Sequence, residues 1–111
     1  MASEDTQAIV ELTAATFDAE IGRPGLTVVD YWAPWCAPCL ALAPQFERVA
    51  QLRPQYRFAK VNVDEHPQLA AAFAINSIPT LVILRDGALV SMAIGSIVPE
   101  QFADALDRLA E

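Results

Sequence analysis

Leu26-Thr-Val-Val-Asp-Tyr-Trp32, continued by Ala-Pro-Trp35-Cys36-Ala-Pro-Cys39, is the stretch on which the fold turns. Its first half is rich in β-branched and aromatic residues, which predicts a strand. The cysteines follow at once. Beyond them apolar side chains recur at Leu42, Phe46, Val49 and Ala50, a helical spacing. A strand therefore runs directly into a long helix that opens at a cysteine pair. Pro44 lies inside that helix and predicts a kink rather than a stop, because it removes one backbone bond and crowds the preceding turn.

The same reading extends outward in both directions. Ala8 to Leu12 is a short β-prone run. Thr13 is the expected N-cap of a helix carrying Phe17 and Ile21, which Gly22-Arg-Pro-Gly25 ends. On the other side, the long helix stops near Arg53-Pro54 and Tyr56 to Val63 reads as a strand. Asp64 with Pro67 marks a helix start, with Leu69, Ala70 and Phe73 as its apolar face. Thr80 to Leu84 is continuously apolar after its threonine, as suits a strand covered on both faces. Asp86-Gly87 signals a hairpin into Ala88–Ile94. Pro99 opens a last helix with Phe102, Ala105, Leu106 and Leu109 inward and Asp104 paired with Arg108 outside. The order β-α-β-α-β-α-β-β-α predicts an α/β fold with helices on both faces of a mixed parallel and antiparallel sheet.

At 111 residues the chain is sized for one domain, spanning 1–111, with the polar start Met1 to Gln7 expected to be flexible. Fourteen acidic residues against seven basic ones give a net charge of -7. A surface of that sign repels phosphate backbones, so no nucleic-acid partner is expected. The start has no basic region followed by an apolar run, and the longest apolar stretches fall short of the about 20 residues of a membrane span. The expected compartment is the cytoplasm, with no membrane partner. There a permanent structural disulfide is disfavoured.

Three readings of Cys36 and Cys39 stand side by side. Structural zinc needs four ligands, and two cysteines with one histidine, His66, would have to recruit a carboxylate. No metal is therefore expected. A pair of inert buried thiols is the second reading. The third is a redox dithiol, which this spacing beside a βαβ pattern signals. Its placement has a chemical reason: the thiolate is the reactive species, and the unpaired N–H groups of a helix N-terminus stabilise it. Cys36 would then be exposed and attack, while Cys39, about one turn further in, would be more buried and resolve. Pro38 stiffens the dipeptide between them.

Val29 to Cys39 resembles the active-site segment of the thioredoxin family, and the resemblance runs from about Ile9 to Leu109. It includes Ala59-Lys-Val-Asn-Val-Asp64, Ser77-Ile-Pro-Thr80, the Asp86-Gly87 turn and Gly95. What it implies is a thioredoxin fold of about five strands flanked by four helices, and a protein-disulfide oxidoreductase working by dithiol–disulfide exchange in cell redox homeostasis. It implies a cis peptide bond before Pro79, with the backbone of Ile78 pairing with bound substrate. Asp30 matches a buried acid that exchanges protons with Cys39, and Lys60 matches the lysine beside it. A purely structural Asp30–Lys60 ion pair is the plainer alternative. Trp35 would flank and shield Cys36, with Trp32 packed below. Trp35, Ala37, Pro38, Ser77, Ile78, Pro79, Gly95 and Ser96 map to the substrate-binding surface. His66 maps to a solvated loop.

No bound cofactor is implied beyond the redox-active Cys36–Cys39 disulfide, with electrons supplied from NADPH through thioredoxin reductase. The implied partners are that reductase and disulfide-containing proteins, met by a monomer. The sequence departs from the family pattern at three places. Ala37 replaces the usual glycine, Leu40 a commonly basic residue, and Asn76-Ser77 a common Arg-Gly. These bear on target preference and thiolate stability rather than on the reaction. Ala37-Pro38 retains the proline and adds no histidine beside Cys36, which favours a reductase. An oxidase or isomerase on the same fold, and a non-enzymatic docking module, remain the alternatives.

Overall fold

A computed structural model describes residues 9–111 of the chain. The expected flexible segment 1–7, and Ala8 at the head of the first β-prone run, lie outside the described residues. The elements are β1 (Ile9–Glu11), α1 (Phe17–Ile21), β2 (Leu26–Trp32), α2 (Ala37–Leu52), β3 (Arg57–Asn62), α3 (Pro67–Ala71), β4 (Thr80–Arg85), β5 (Ala88–Ile94) and α4 (Pro99–Ala110). The strands form one sheet in the order β1-β3-β2-β4-β5. β1, β3 and β2 run parallel, and β4 runs antiparallel to both of its neighbours, β2 and β5. This is the expected mixed five-stranded sheet with four helices.

β2 is the central strand, and Leu26 to Tyr31 are all buried. Alternate residues point to opposite faces, and each face has its own core. On one side Val28, Phe58, Leu81 and Ile83 meet Leu42, Phe46 and Val49 of α2 and Leu106 of α4. Phe46 and Phe58 are edge to face, 5.7 Å between ring centroids. On the other side Val29, Tyr31, Val61 and Val82 meet Phe17 of α1 and Leu69 of α3. Burying each such side chain contributes roughly 1.5–3 kcal/mol, which explains why so short a helix as α3 stays docked.

Several local expectations are corrected. The helix α1 is capped at Thr16, not Thr13. A turn closes first: the Thr13 carbonyl accepts from the N–H of Phe17 at 2.9 Å, and the Thr16 hydroxyl accepts from the N–H of Thr13 at 3.0 Å. The two threonines thus satisfy each other before the helix begins. Tyr56 and Val63 fall just outside β3. Phe73 lies beyond the end of α3, yet its ring packs 6.2 Å from that of Phe17. Asp104 does not pair with Arg108. It meets Arg53 at 3.0 Å, and the same guanidinium holds Asp107. Arg53 is less exposed than Arg108 and its fork reaches two carboxylates, which favours it over a solvated i,i+4 pair. This cluster fastens the end of α2 to α4. The helix α2 itself continues through Pro44 to Leu52.

The Asp86-Gly87 turn joins β4 to β5 with φ of 53° and 85°. Both residues are left-handed, which matches the sheet's twist and is why glycine stands second.

Candidate active site

The carboxyl end of β2 delivers the chain to the cysteines, with β3 on one side and β4 on the other. In open α/β sheets such ends are where function collects. Cys36 is the N-cap of α2, in extended conformation, and Ala37 and Pro38 form its first turn. A proline so early costs no helical bond, since the first N–H groups have no partner within the helix. Cys36 and Cys39 are joined by a disulfide. The Cys39 N–H donates to the Cys36 sulfur at 3.2 Å. No acidic residue sits in the first turn of α2. The positive end of the helix is therefore left to the Cys36 sulfur.

Cys36 is not the exposed sulfur expected from its place at the helix start. It is 4% exposed against 2% for Cys39. Ala33, Trp32, Val63 and Ile78 pack around the disulfide-bonded pair. Trp35 stands apart from that packing at 68% exposure. Its ring is held by a hydrogen bond from Nε1 to Asp64 at 2.8 Å.

The sequence marks Asp64 as a helix start and as the end of the family-like stretch from Ala59, and its contact with Trp35 is a finding of the structure. Asn62 positions it, because the Asn62 side-chain oxygen accepts from the Asp64 N–H at 2.9 Å. That local turn is an Asn habit. It is the one signal in the sequence that could have pointed here. Replacing Asp64 with alanine is expected to release Trp35 and lower the fluorescence anisotropy of its indole. An unchanged anisotropy would mean that packing alone fixes the ring.

The Ile78–Pro79 bond is cis. Pro79 is buried, and Ile78 is half-buried with its carbonyl oxygen 4.0 Å from the Cys36 sulfur. The Thr80 hydroxyl donates to the Ser77 carbonyl at 2.7 Å, and the Gly95 N–H donates to the Pro79 carbonyl at 3.2 Å. Gly95 adopts φ of 92°, with open space where a side chain would be. The Gln45 side chain of α2 accepts from the Ile97 N–H at 3.1 Å and ties this loop to the cysteine helix. Ala37, Pro38, Ser77 and Ser96 are exposed around these groups.

Asp30 is 4% exposed in β2, and its neighbour in register on β3 is Lys60. Burial pushes its carboxyl from 3.8 up to about 7, and the Lys60 charge pulls it only partly back. The two form no ion pair among the described residues. The Lys60 ammonium instead lies over the Trp32 ring, 5.1 Å from its centroid. Asp30 Oδ1 and Trp32 Nε1 are buried with no hydrogen-bond partner among the described residues. Both belong to the strand that ends at the cysteines, and orphaned polar atoms in so few places ask for a functional reason. His66 is half-buried at the start of α3 rather than solvated. Among the described residues no group of three or more His, Cys, Asp or Glu is placed to hold a metal ion. No helix among them is long and apolar enough to cross a membrane.

The family model for thioredoxin matches residues 8–108. Thioredoxin 1 of Synechococcus elongatus is 41% identical over 99 residues, covering 87% of this chain and 92% of that protein. A thioredoxin of Staphylococcus aureus is 39% identical over 102 residues, covering 91% and 97%. Among solved structures, a single-site mutant of a thioredoxin from Halobacterium salinarum superimposes with a TM-score of 0.83 at 28% identity, covering 93% of this chain and 91% of that one. Oxidised mitochondrial thioredoxin 3 from Saccharomyces cerevisiae gives 0.82 at 30% identity, covering 94% and 98%.

Proposed function

The chain belongs to the thioredoxin family, a family of protein-disulfide oxidoreductases, and from that premise we propose how its residues divide the work. The observation that carries the reading is the Cys36–Cys39 disulfide at the start of α2, beside the Ile78 carbonyl. In the reduced protein Cys36 is the attacking thiolate. It forms a mixed disulfide with one client sulfur, and the other client sulfur leaves as a thiolate that takes up a proton. Cys39 then gives up its proton, attacks the Cys36 sulfur and expels the remaining client sulfur. Two electrons pass to the client, and the chain is left oxidised, with the Cys36–Cys39 bond closed.

Asp30 receives the Cys39 proton. Its carboxyl near 7 is half-ionised at neutral pH, where a proton acceptor works best. Lys60 keeps that carboxyl from rising further. The backbone of Ile78, with Pro79, Gly95 and Ser96, borders the client, and Trp35, Ala37 and Pro38 form the facing rim. No prosthetic group takes part. A reductase drawing on NADPH restores the dithiol, and a reducing compartment such as the cytoplasm suits that cycle. The working unit is a monomer. With dithiothreitol as terminal reductant, micromolar protein is expected to accelerate insulin reduction, read as the turbidity of the freed B chain. No acceleration over dithiothreitol alone would overturn the reading.

A further inference from the structure

β5 is the outer strand of the sheet, paired with β4 alone among the described residues. Natural edges are usually blunted by charge, proline or a bulge. From Ala88 to Val98 the chain carries no charged residue and no proline, although 19% of the whole sequence is charged. Its one protection is a bulge: Ile83 faces Ser91 but Leu84 faces Leu89, which leaves Val90 as the extra residue. That irregularity guards only the far half of the strand. Ser91 to Ile94 is regular, and it is the half that ends at the site, where Ile94 faces Thr80 and the Gly95 N–H reaches Pro79.

The bulge has a second effect. Directly opposed residues share a face, so Leu89, Met92 and Ile94 lie on the same side as Leu84, Val82 and Thr80. The helices α1 and α3 cover Val82 and Leu84 there but leave the β5 side chains open. Met92 is 42% exposed and Ile94 71%. Val90 and Ala93, turned the other way, pack on the α2–α4 core.

We propose that the Ser91–Ile94 edge, with the apolar side chains of Met92 and Ile94, is a docking strip for the client: an extended, uncharged segment near the client's disulfide adds to the sheet as a sixth strand. This deepens the reading of the chain as a disulfide reductase and rests on it. Area and continuity choose the occupant. A stable pair of identical copies needs about 800 Å² from each, and this patch offers on the order of a few hundred. A client needs far less, because the mixed disulfide at Cys36 holds it while exchange proceeds. The strip is also continuous with the backbone that borders that sulfur. Its clients are therefore proteins whose disulfide neighbours an exposed strand or an unfolded apolar segment, recognised mainly through backbone hydrogen bonds.

The test compares kcat/KM for insulin and for bis-hydroxyethyl disulfide, which has no chain to add, in Met92→Lys, Met92→Glu and Leu89→Lys. Both Met92 variants are expected to lose about tenfold on insulin, since a charge of either sign blocks strand addition. They should keep the wild-type rate on the small disulfide. Leu89→Lys, beyond the bulge, should lose much less. Opposite effects of Lys and Glu would reveal long-range steering by the net charge and overturn the proposal. So would equal rates on insulin in all variants, or a wild-type dimer that Met92→Lys dissociates without changing the insulin rate. Failure of the wild type on both substrates would instead sink the reductase reading itself.

Discussion

The Cys39→Ser variant is expected to stop after one half of the reaction, accumulating a covalent adduct of chain and client that thiols release. Cys36→Ser is expected to form no such adduct and to lose at least about 1,000-fold in reduction rate, the scale seen when the nucleophile of a covalent mechanism is removed. The asymmetry does not come from exposure, which barely separates the two sulfurs in the disulfide. It comes from their places on α2. Cys36 is the N-cap, where the Cys39 N–H points at its sulfur and the helix dipole favours negative charge. Cys39 has entered the helix, and its side chain faces the core formed with Ala33. The first sulfur is thus stabilised as a thiolate that can meet a client, and the second attacks only once a bond exists on the first. Non-reducing electrophoresis after mixing with insulin would show the adduct. An adduct trapped by Cys36→Ser and absent in Cys39→Ser would reverse the two roles.

How much of this was legible beforehand follows from which forces are local. β2, α2 and the Asp86-Gly87 hairpin were readable because period, composition and turn chemistry are properties of adjacent residues. The cysteine pair was readable for the same reason. What escaped depends on partners far along the chain. Asp104 prefers Arg53, some fifty positions away, over Arg108 on its own helix, because two carboxylates converge on one guanidinium. Asp64 reaches Trp35 only after β2 and β3 lie side by side. The low exposure of Cys36 arises from Ala33, Trp32, Val63 and Ile78, which come from separate parts of the chain to pack around it. The bulge at Val90 was hidden for a subtler reason. Strict alternation puts Leu89 and Met92 on opposite faces, and only the register of the partner strand shows that they share one.

The largest effect on stability is expected at Asp30, and its sign is opposite to that of most buried substitutions. The Asp30 carboxyl titrates near 3.8 when the chain is unfolded and near 7 when folded. Between those values the folded protein holds a proton that the unfolded one has released. Stability therefore falls as pH rises through this window, and the full penalty is present above about pH 7. Its size is about 4 kcal/mol, from a shift of about three units at 1.36 kcal/mol each. Asp30→Asn keeps the shape and removes the charge. The unpartnered Oδ1 is buried in either variant, so its desolvation largely cancels. Urea unfolding should accordingly show a gain of about 4 kcal/mol at pH 8 and almost none near pH 4. The same variant should slow release of reduced client by about tenfold to a hundredfold at neutral pH, having lost its proton acceptor. A gain of equal size at both pH values would mean that packing, not ionisation, sets the cost. A loss at pH 8 would mean that the carboxylate has a structural partner after all. The two expected changes belong together. A charge that weakens the core by so much, and whose Oδ1 has no hydrogen-bond partner among the described residues, is what the proposed proton transfer from Cys39 would account for.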